Sequence, residues 1–195
     1  MAIISLTGFM GCGKSSVGRI LAGMLGCDFH DLDRIIEKSS GRTIPEIFAY
    51  GGETAFREME VSALGEFVEK QGEGEGSAVL ALGGGTLVSE ECAAIVRRKT
   101  VCVWLEASAD TIVRNLSYTD ISGRPMLAGA EDEASLKALV CEMMEKRAPV
   151  YRNAACISVN VDGKTPEEAA AMIVSYMDEI EKSDYLCAGK INIVI

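Results

Sequence analysis

The chain has 195 residues, 48% of them hydrophobic and 25% charged, and it carries a formal net charge of −10. This composition is typical of a globular protein, and the length suits one domain that buries a full hydrophobic core. The negative charge disfavours surfaces that bind nucleic acid or anionic membranes, because both partners are themselves anionic. Length and charge together disfavour a nucleic-acid motor, which needs a longer chain and a basic track.

Cysteine usage and the lack of long apolar runs indicate the compartment. The seven cysteines, an odd number, are scattered without C-x-x-C spacing, and a single histidine, His30, disfavours a zinc site. The N-terminus has no basic region of a signal peptide, and no apolar run reaches the ~18 residues of a membrane span. We therefore expect a cytoplasmic protein in a reducing compartment.

The chain begins with an apolar run of strand length, Ala2–Thr7, followed by the glycine-rich segment Gly8–Ser15. The segment reads G-F-M-G-C-G-K-S and matches the phosphate-binding pattern G-x-x-x-x-G-K-[ST], the P-loop. Apolar residues then recur at helical spacing, at Val17, Ile20, Leu21 and Met24. A chance match would lack this context, since a P-loop lies between a strand and a helix.

Each part of the P-loop has an expected task. Glycines at 8, 11 and 13 let the backbone wrap a phosphate at a helix N-terminus, where N–H groups and the helix dipole favour an anion. Lys14 supplies positive charge for the β- and γ-phosphates, and the Ser15 hydroxyl can ligate Mg²⁺. The expected nucleotide-binding residues of the loop are Gly11, Cys12, Gly13, Lys14, Ser15 and Ser16.

Two carboxylates follow the second apolar run, Cys27–His30. If the backbone stays extended there, Asp31 and Asp33 point the same way, towards the P-loop. Alone, such a pair is more often a helix N-cap and a solvated acid. Beside a P-loop, the pair fits Mg²⁺ binding and the orientation or deprotonation of a hydroxyl that accepts a phosphoryl group.

Two arginines lie on apolar helical stripes. Thr43–Glu46 predicts a capping box that begins a short helix ending at Gly51-Gly52, and a longer helix follows over about 53–70. Arg57 lies on the stripe of this second helix, and Arg147 lies on the apolar face of a later one. Either alone fits a side chain that snorkels at a helix end. In an acidic protein, the two together favour a forked site for a carboxylate or phosphate.

Apolar strand-like runs alternate with helical patterns through the rest of the chain. Further apolar runs stand at Ala78–Leu82, Val101–Leu105 and Ala155–Val161. The alternation predicts a parallel α/β sheet covered on both faces, whose ligands bind beyond the carboxyl ends of the strands. There Gly83-Gly84-Gly85 offers bare backbone. Residues 116–132 lack periodicity and suggest a lid, in which Arg124 is either a solvated surface residue or a cation that closes over phosphates.

In this order the motifs resemble those of shikimate kinase, within the nucleoside-monophosphate-kinase-like group of P-loop phosphotransferases. The likeness runs from Ile3 to about Ile180. Beyond the P-loop, it rests on F-x-D-x-D at Phe29–Asp33, F-R-E-x-E at Phe56–Glu60, G-G-G at Gly83–Gly85, R-P at Arg124-Pro125 and R-x-x-x-Y-R at Arg147–Arg152. A P-loop alone is common to many families, whereas the ordered set is specific.

The resemblance implies a three-layer α/β fold, with helices on both faces of a five-stranded parallel sheet of order 2-3-1-4-5 and a lid loop. By the same resemblance we expect residues 1–182 to form a single kinase domain, with a substrate-binding region near 33–62 and the lid near 116–132. The tail, 183–195, has no clear counterpart, and its alternating apolar residues fit an edge strand, a partner contact or disorder. We expect a monomer.

The resemblance also implies ATP-dependent phosphorylation of the 3-hydroxyl of shikimate, a step towards the aromatic amino acids. Asp33 would hold that hydroxyl and act as its base or orienter. Arg57 and Arg147 would clamp the shikimate carboxylate, with the Gly83–Gly85 backbone beside the ring.

On the nucleotide side, the resemblance implies that Lys14 and the lid residue Arg124 contribute to catalysis. Ser15 would bind Mg²⁺, and Asp31 would reach the metal through water. Adenine would lie between Arg114 and Pro166.

Two other functions fit parts of the pattern. A gluconate-kinase-like enzyme is one, because gluconate also carries a carboxylate and hydroxyls. A nucleotide-binding module with little turnover is the other, but it would need guanine selectivity, and no N-K-x-D motif occurs. The retention of Lys14, Ser15, Asp31 and Asp33 also favours an active kinase.

Overall fold

A parallel β-sheet forms the centre of the molecule, in a computed structural model that describes residues 3–73, 76–117, 127, 132–182 and 193–194. Its strands are β1 (Ile3–Thr7), β2 (Asp28–Asp31), β3 (Ala78–Ala81), β4 (Thr100–Glu106), β5 (Ile157–Asn160) and β6 (Ile193–Val194). They lie in the order β2-β3-β1-β4-β5-β6, and every neighbouring pair is parallel. The predicted order 2-3-1-4-5 is confirmed, and the two-residue β6 adds an edge strand beside β5.

Helices cover both faces of the sheet. They are α1 (Lys14–Leu25), α2 (Leu32–Ser40), α3 (Ile44–Glu73), α4 (Glu90–Lys99), α5 (Ala109–Ser117), α6 (Glu133–Ala154) and α7 (Pro166–Lys182), with a 3₁₀ turn at Thr86–Val88. Because strand side chains alternate, Ile4 and Leu6 pack into the core under α1, α5 and α7, whereas Ile3 and Leu80 pack under α2, α3 and α4. Within the described ranges, no helix has the length and apolarity needed to cross a membrane.

Helix α3 is bent, and the bend confirms the predicted break between two helices. Gly52 has φ 69° and ψ −170°, outside the helical region, in a conformation that favours glycine. The predicted capping box is present as well, because the Thr43 N–H donates to Glu46 at 2.7 Å and the Glu46 N–H donates to the Thr43 hydroxyl at 3.4 Å. Arg57 thus lies just past the bend.

At the end of β2 the expectation of extended backbone through Asp33 is wrong. The strand ends at Asp31, which is the N-cap of α2 and accepts a hydrogen bond from the Asp33 N–H at 3.1 Å. Asp33 therefore lies in the first turn of α2. Aspartate is a strong N-cap, and Leu32 and Ile36 lie at helical spacing and are both buried. The capping and the burial together stabilise a helix here more than further pairing with β3 would stabilise a strand.

Only part of the expected lid, 116–132, lies within the described residues. Residues 116 and 117 belong to α5, so helical structure extends into this segment. Leu127 is buried in the core, and Asp132 begins α6 through a capping box with Ser135. Arg124 and Pro125 lie outside the described residues.

Candidate active site

The P-loop connects the carboxyl end of β1 to the N-terminus of α1, as predicted. Gly8, Gly11 and Gly13 have φ values of 142°, 83° and 95°, all in the region that favours glycine. A Cβ on Gly8 would also lie 2.6 Å from the Leu105 carbonyl oxygen. The loop therefore needs glycine both for its backbone path and for its contact with β4.

Lys14 folds back over the loop that precedes it. Its Nζ donates to the carbonyl oxygens of Gly8 at 2.9 Å and Phe9 at 3.0 Å. From α5, the Asn115 side-chain amide donates to the Gly11 carbonyl at 2.8 Å and ties that helix to the loop. Asn115 was not predicted as a site residue, because nothing local links it to a loop more than a hundred positions earlier.

An open cavity of about 760 Å³ lies in front of the P-loop, at the carboxyl ends of the strands. This volume suits a small-molecule site. The predicted site residues that line it are Gly11, Gly13, Lys14, Ser15, Ser16, Asp31, Asp33, Arg57, Gly83, Gly84, Gly85 and Arg147. The structure thus brings the expected phosphate, acid and arginine groups to one cavity.

Ser15 and Asp31 form an oxygen-rich corner of the cavity. The Ser15 hydroxyl donates to Asp31 Oδ2 at 2.9 Å, while Asp31 Oδ1 caps α2. A hydroxyl and a carboxylate are hard ligands that suit Mg²⁺. Among the described residues, no group of three or more His, Cys, Asp or Glu side chains could hold a metal ion alone. A metal in this corner would therefore need further ligands from water or a nucleotide, which is how Mg²⁺ commonly binds.

Asp33 is an acid of the cavity whose pKa is raised by its surroundings. Its Oδ1 is buried and has no hydrogen-bond partner within the described part of the chain. Burial, followed by the negative charges of Asp31 and Glu60, raises the pKa of Asp33 to about 6, and Lys14 opposes the shift. A carboxylate with this pKa and an unused oxygen can accept a proton near neutral pH.

Arg147 provides a buried positive charge beside the glycine run. Its side chain comes from the apolar face of α6, is 7% exposed, and donates from Nη1 to the Gly84 carbonyl at 3.2 Å. The Tyr151 hydroxyl donates to the same carbonyl. No salt bridge joins Arg147 to an acidic side chain within the ranges that the structure describes. Arg147 therefore lies on the buried face of α6, as the helical periodicity predicted, and lines the cavity.

Arg57 lines the same cavity but already holds two carboxylates. It pairs with Glu53 through Nη2 at 2.9 Å and with Glu60 through Nη1. Glu60 is fully buried and accepts a second hydrogen bond from the Thr86 hydroxyl at 2.6 Å. A Cβ on Gly85 would lie 2.6 Å from Nη2 of Arg57, so the guanidinium keeps this position only beside a glycine. The two glutamates were not among the predicted site residues, although their helical spacing to Arg57 was a usable signal.

Three predicted nucleotide-binding residues are not among those that line the cavity in the described part of the chain. Cys12 is 3% exposed and packs into the core, although its backbone lies in the P-loop. Arg114 is exposed on α5, and Pro166 is the first residue of α7. Neither is among the described residues that line the cavity.

Known proteins resemble this chain along almost its whole length. A family model described as Shikimate kinase matches residues 10–178. A shikimate kinase from Chlorobaculum parvum is 37% identical over 188 residues, which cover 93% of this chain and 97% of that protein. A shikimate kinase from Caulobacter vibrioides is 41% identical over 168 residues, which cover 86% and 77% of the two chains.

Solved structures of kinases also resemble this chain. A shikimate kinase from Acinetobacter baumannii in complex with shikimate matches with a TM-score of 0.81 and 30% identity, covering 93% of this chain and 95% of the other. A gluconokinase from Sinorhizobium meliloti 1021 matches with a TM-score of 0.61 but only 15% identity, which shows a shared fold alone; the match covers 96% of this chain and 98% of that one.

Proposed function

The chain belongs to the shikimate kinase family, and from this premise we propose how its cavity transfers a phosphoryl group from ATP to the 3-hydroxyl of shikimate. It is a kinase of aromatic amino acid biosynthesis that uses ATP and shikimate as substrates. The supporting observation is that the P-loop, Asp33 and the two arginines all line one cavity. We also propose a monomeric enzyme, for which a cavity complete within one chain suffices.

The P-loop side binds the nucleotide. Its backbone N–H groups and the N-terminus of α1 receive the phosphates, and Lys14 exchanges the Gly8 and Phe9 carbonyls for the β- and γ-phosphate oxygens. Ser15 and Asp31 would hold Mg²⁺, Asp31 through water, and the ion would supply neutralising charge for the phosphates. Arg124 as a lid cation and adenine between Arg114 and Pro166 stay predictions.

The opposite side binds and activates the acceptor. Arg57 and Arg147 bind the carboxylate of shikimate, because a guanidinium fork matches carboxylate geometry. The ring lies beside the backbone of Gly83–Gly85, because these residues have no side chains of their own. Asp33 Oδ1, which has no hydrogen-bond partner among the described residues, supports the role of this side chain in holding the 3-hydroxyl.

Asp33 acts on the proton of the acceptor. With a pKa of about 6 it is mostly ionised at pH 7 and remains basic enough to take the hydroxyl proton. The hydroxyl oxygen then forms a bond to the γ-phosphorus, the bond from that phosphorus to the bridging oxygen breaks, and ADP leaves. Lys14 offsets negative charge that develops on the phosphate oxygens.

An ADP-release assay with Mg²⁺-ATP tests this function. Shikimate, gluconate and nucleoside monophosphates are offered in parallel, with Asp33→Asn as the matched blank. We expect ADP release with shikimate alone. Release with another acceptor would leave the P-loop assignment intact but overturn that of the arginine pair. ATP binding without turnover on any acceptor would favour a nucleotide-binding module instead.

A further inference from the structure

The two arginines of the acceptor side differ in their partners. Arg147 has no acidic partner within the described residues and contacts the Gly84 carbonyl. Arg57 is paired with both Glu53 and Glu60, so its surroundings carry more negative than positive charge. An incoming carboxylate therefore meets one available guanidinium and one that is already occupied.

Glu53 occupies the Nε–Nη2 edge of the Arg57 guanidinium. Its Oε1 accepts from Nε at 3.2 Å and from Nη2 at 2.9 Å. These two groups form one of the guanidinium edges that bind a carboxylate in a bidentate manner. Because Nη1 is engaged by Glu60, both edges that include Nη2 are shared with protein carboxylates.

The two glutamates differ in how firmly they are held. The Glu60 side chain has no exposed surface and its other oxygen binds Thr86, so moving it would strand a buried charge. The Glu53 side chain is 53% exposed, and its hydrogen bonds within the described ranges all go to Arg57. Glu53 can therefore turn into water at little cost, since exposed ion pairs contribute little.

We propose that Glu53 is an internal competitor for the carboxylate of the acceptor, which makes it a specificity-determining residue. In the substrate-free enzyme it occupies the Nε–Nη2 edge of Arg57, and a bound acceptor carboxylate displaces it. The inference rests on the proposed function, in which Arg57 binds that carboxylate. Only an acceptor whose carboxylate reaches both arginines offsets the loss of the Glu53 pair, so Glu53 disfavours acceptors whose carboxylate reaches Arg57 alone.

The test compares Glu53→Gln with Glu58→Gln. Glu58 lies on the same helix and is exposed, and no hydrogen bond or salt bridge joins it to Arg57. Both variants remove one negative charge from α3, but only the first removes the competitor. With saturating Mg²⁺-ATP, we expect Glu53→Gln to lower the KM for shikimate about two- to fivefold with kcat and the ATP KM unchanged. Glu58→Gln should match the wild type.

A double-mutant cycle shows whether the decrease in the shikimate KM caused by Glu53→Gln acts through Arg57. In an Arg57→Ala background, Glu53→Gln should leave the shikimate KM unchanged, because nothing remains to compete for. A raised KM in the single variant would mean that Glu53 positions Arg57, and an unchanged KM would mean that it does not compete. An equal decrease in both single variants would assign the effect to net charge. Each of these results would overturn this inference but leave the proposed function standing. A wild type without shikimate-dependent ADP release would overturn both.

Discussion

The two sides of the cavity obtain their shape in different ways. On the nucleotide side, the P-loop itself is one continuous stretch, 8–16, and its geometry comes from backbone conformation at three glycines. The acceptor side is assembled from α2, α3, the glycine run after β3, and α6, through side chains far apart in the chain. Phosphate binding therefore depends on local backbone, whereas acceptor binding depends on individual charges and on what surrounds them.

The electrostatics of the two sides differ in the same way. Lys14 is held by neutral carbonyl groups, which it can leave without separating an ion pair. On the acceptor side, Arg57 sits between two glutamates and Asp33 lies near Asp31 and Glu60. Substitutions on the acceptor side should therefore change acceptor binding and turnover while leaving ATP binding intact.

Asp33→Asn should give the largest effect. Loss of the base should lower kcat about 10²–10⁴-fold, a typical contribution of a positioned general base, without changing ATP affinity. Steady-state ADP release and ATP titration measure the two quantities. Asp28→Asn is the matched control, because Asp28 is exposed on β2, and it should behave as wild type. A near-normal kcat in Asp33→Asn would remove Asp33 from the mechanism.

Arg147→Ala should raise the KM for shikimate about 10- to 100-fold, because charge-assisted hydrogen bonds contribute about 1.5–3 kcal/mol. Arg147→Lys keeps the charge but loses the fork, so its KM should be intermediate. Arg152→Ala serves as control, since Arg152 is exposed and lies over the Trp104 ring at 5.6 Å. If the ATP KM rose as much as the shikimate KM, the separation between the two sides would fail.

The pH profile should report the burial of Asp33. The pKa of Asp33 is raised to about 6, and the base must be ionised, so activity should be full above this pH and lost as the pH falls through it. At pH 5, kcat/KM for shikimate should be about tenfold below its plateau, as expected for one protonation with this pKa. A profile that stays flat down to pH 4.5 would show an ordinary, solvated aspartate or a different base.

Gly85→Ala should have a smaller effect. The new Cβ would lie 2.6 Å from Nη2 of Arg57, so the guanidinium must shift. We expect the shikimate KM to rise about fivefold, equivalent to partial loss of one charge-assisted bond. Gly65→Ala on α3 is the control, because its Cβ would contact nothing within 4 Å and alanine favours a helix. Equal kinetics in both variants would mean that close approach at Gly85 has no role.

Local features of the sequence determined much of this protein. Positive φ values at Gly8, Gly11 and Gly13 follow from glycine chemistry, and the burial of Arg147 follows from helical periodicity on α6. The order of the five main strands followed from the family resemblance. These features depend on a few neighbouring residues or on an ordered set of motifs, and both can be read without coordinates.

Other features only the tertiary structure decided. The backbone turns into α2 at Asp31 instead of staying extended, and Asn115 of α5 binds the P-loop carbonyl of Gly11. The pKa of Asp33 and the pairing of Arg57 depend on burial and on charges that lie close in space. Residue order carries little information about such distances, because they are set by the packing of elements that are remote in the chain.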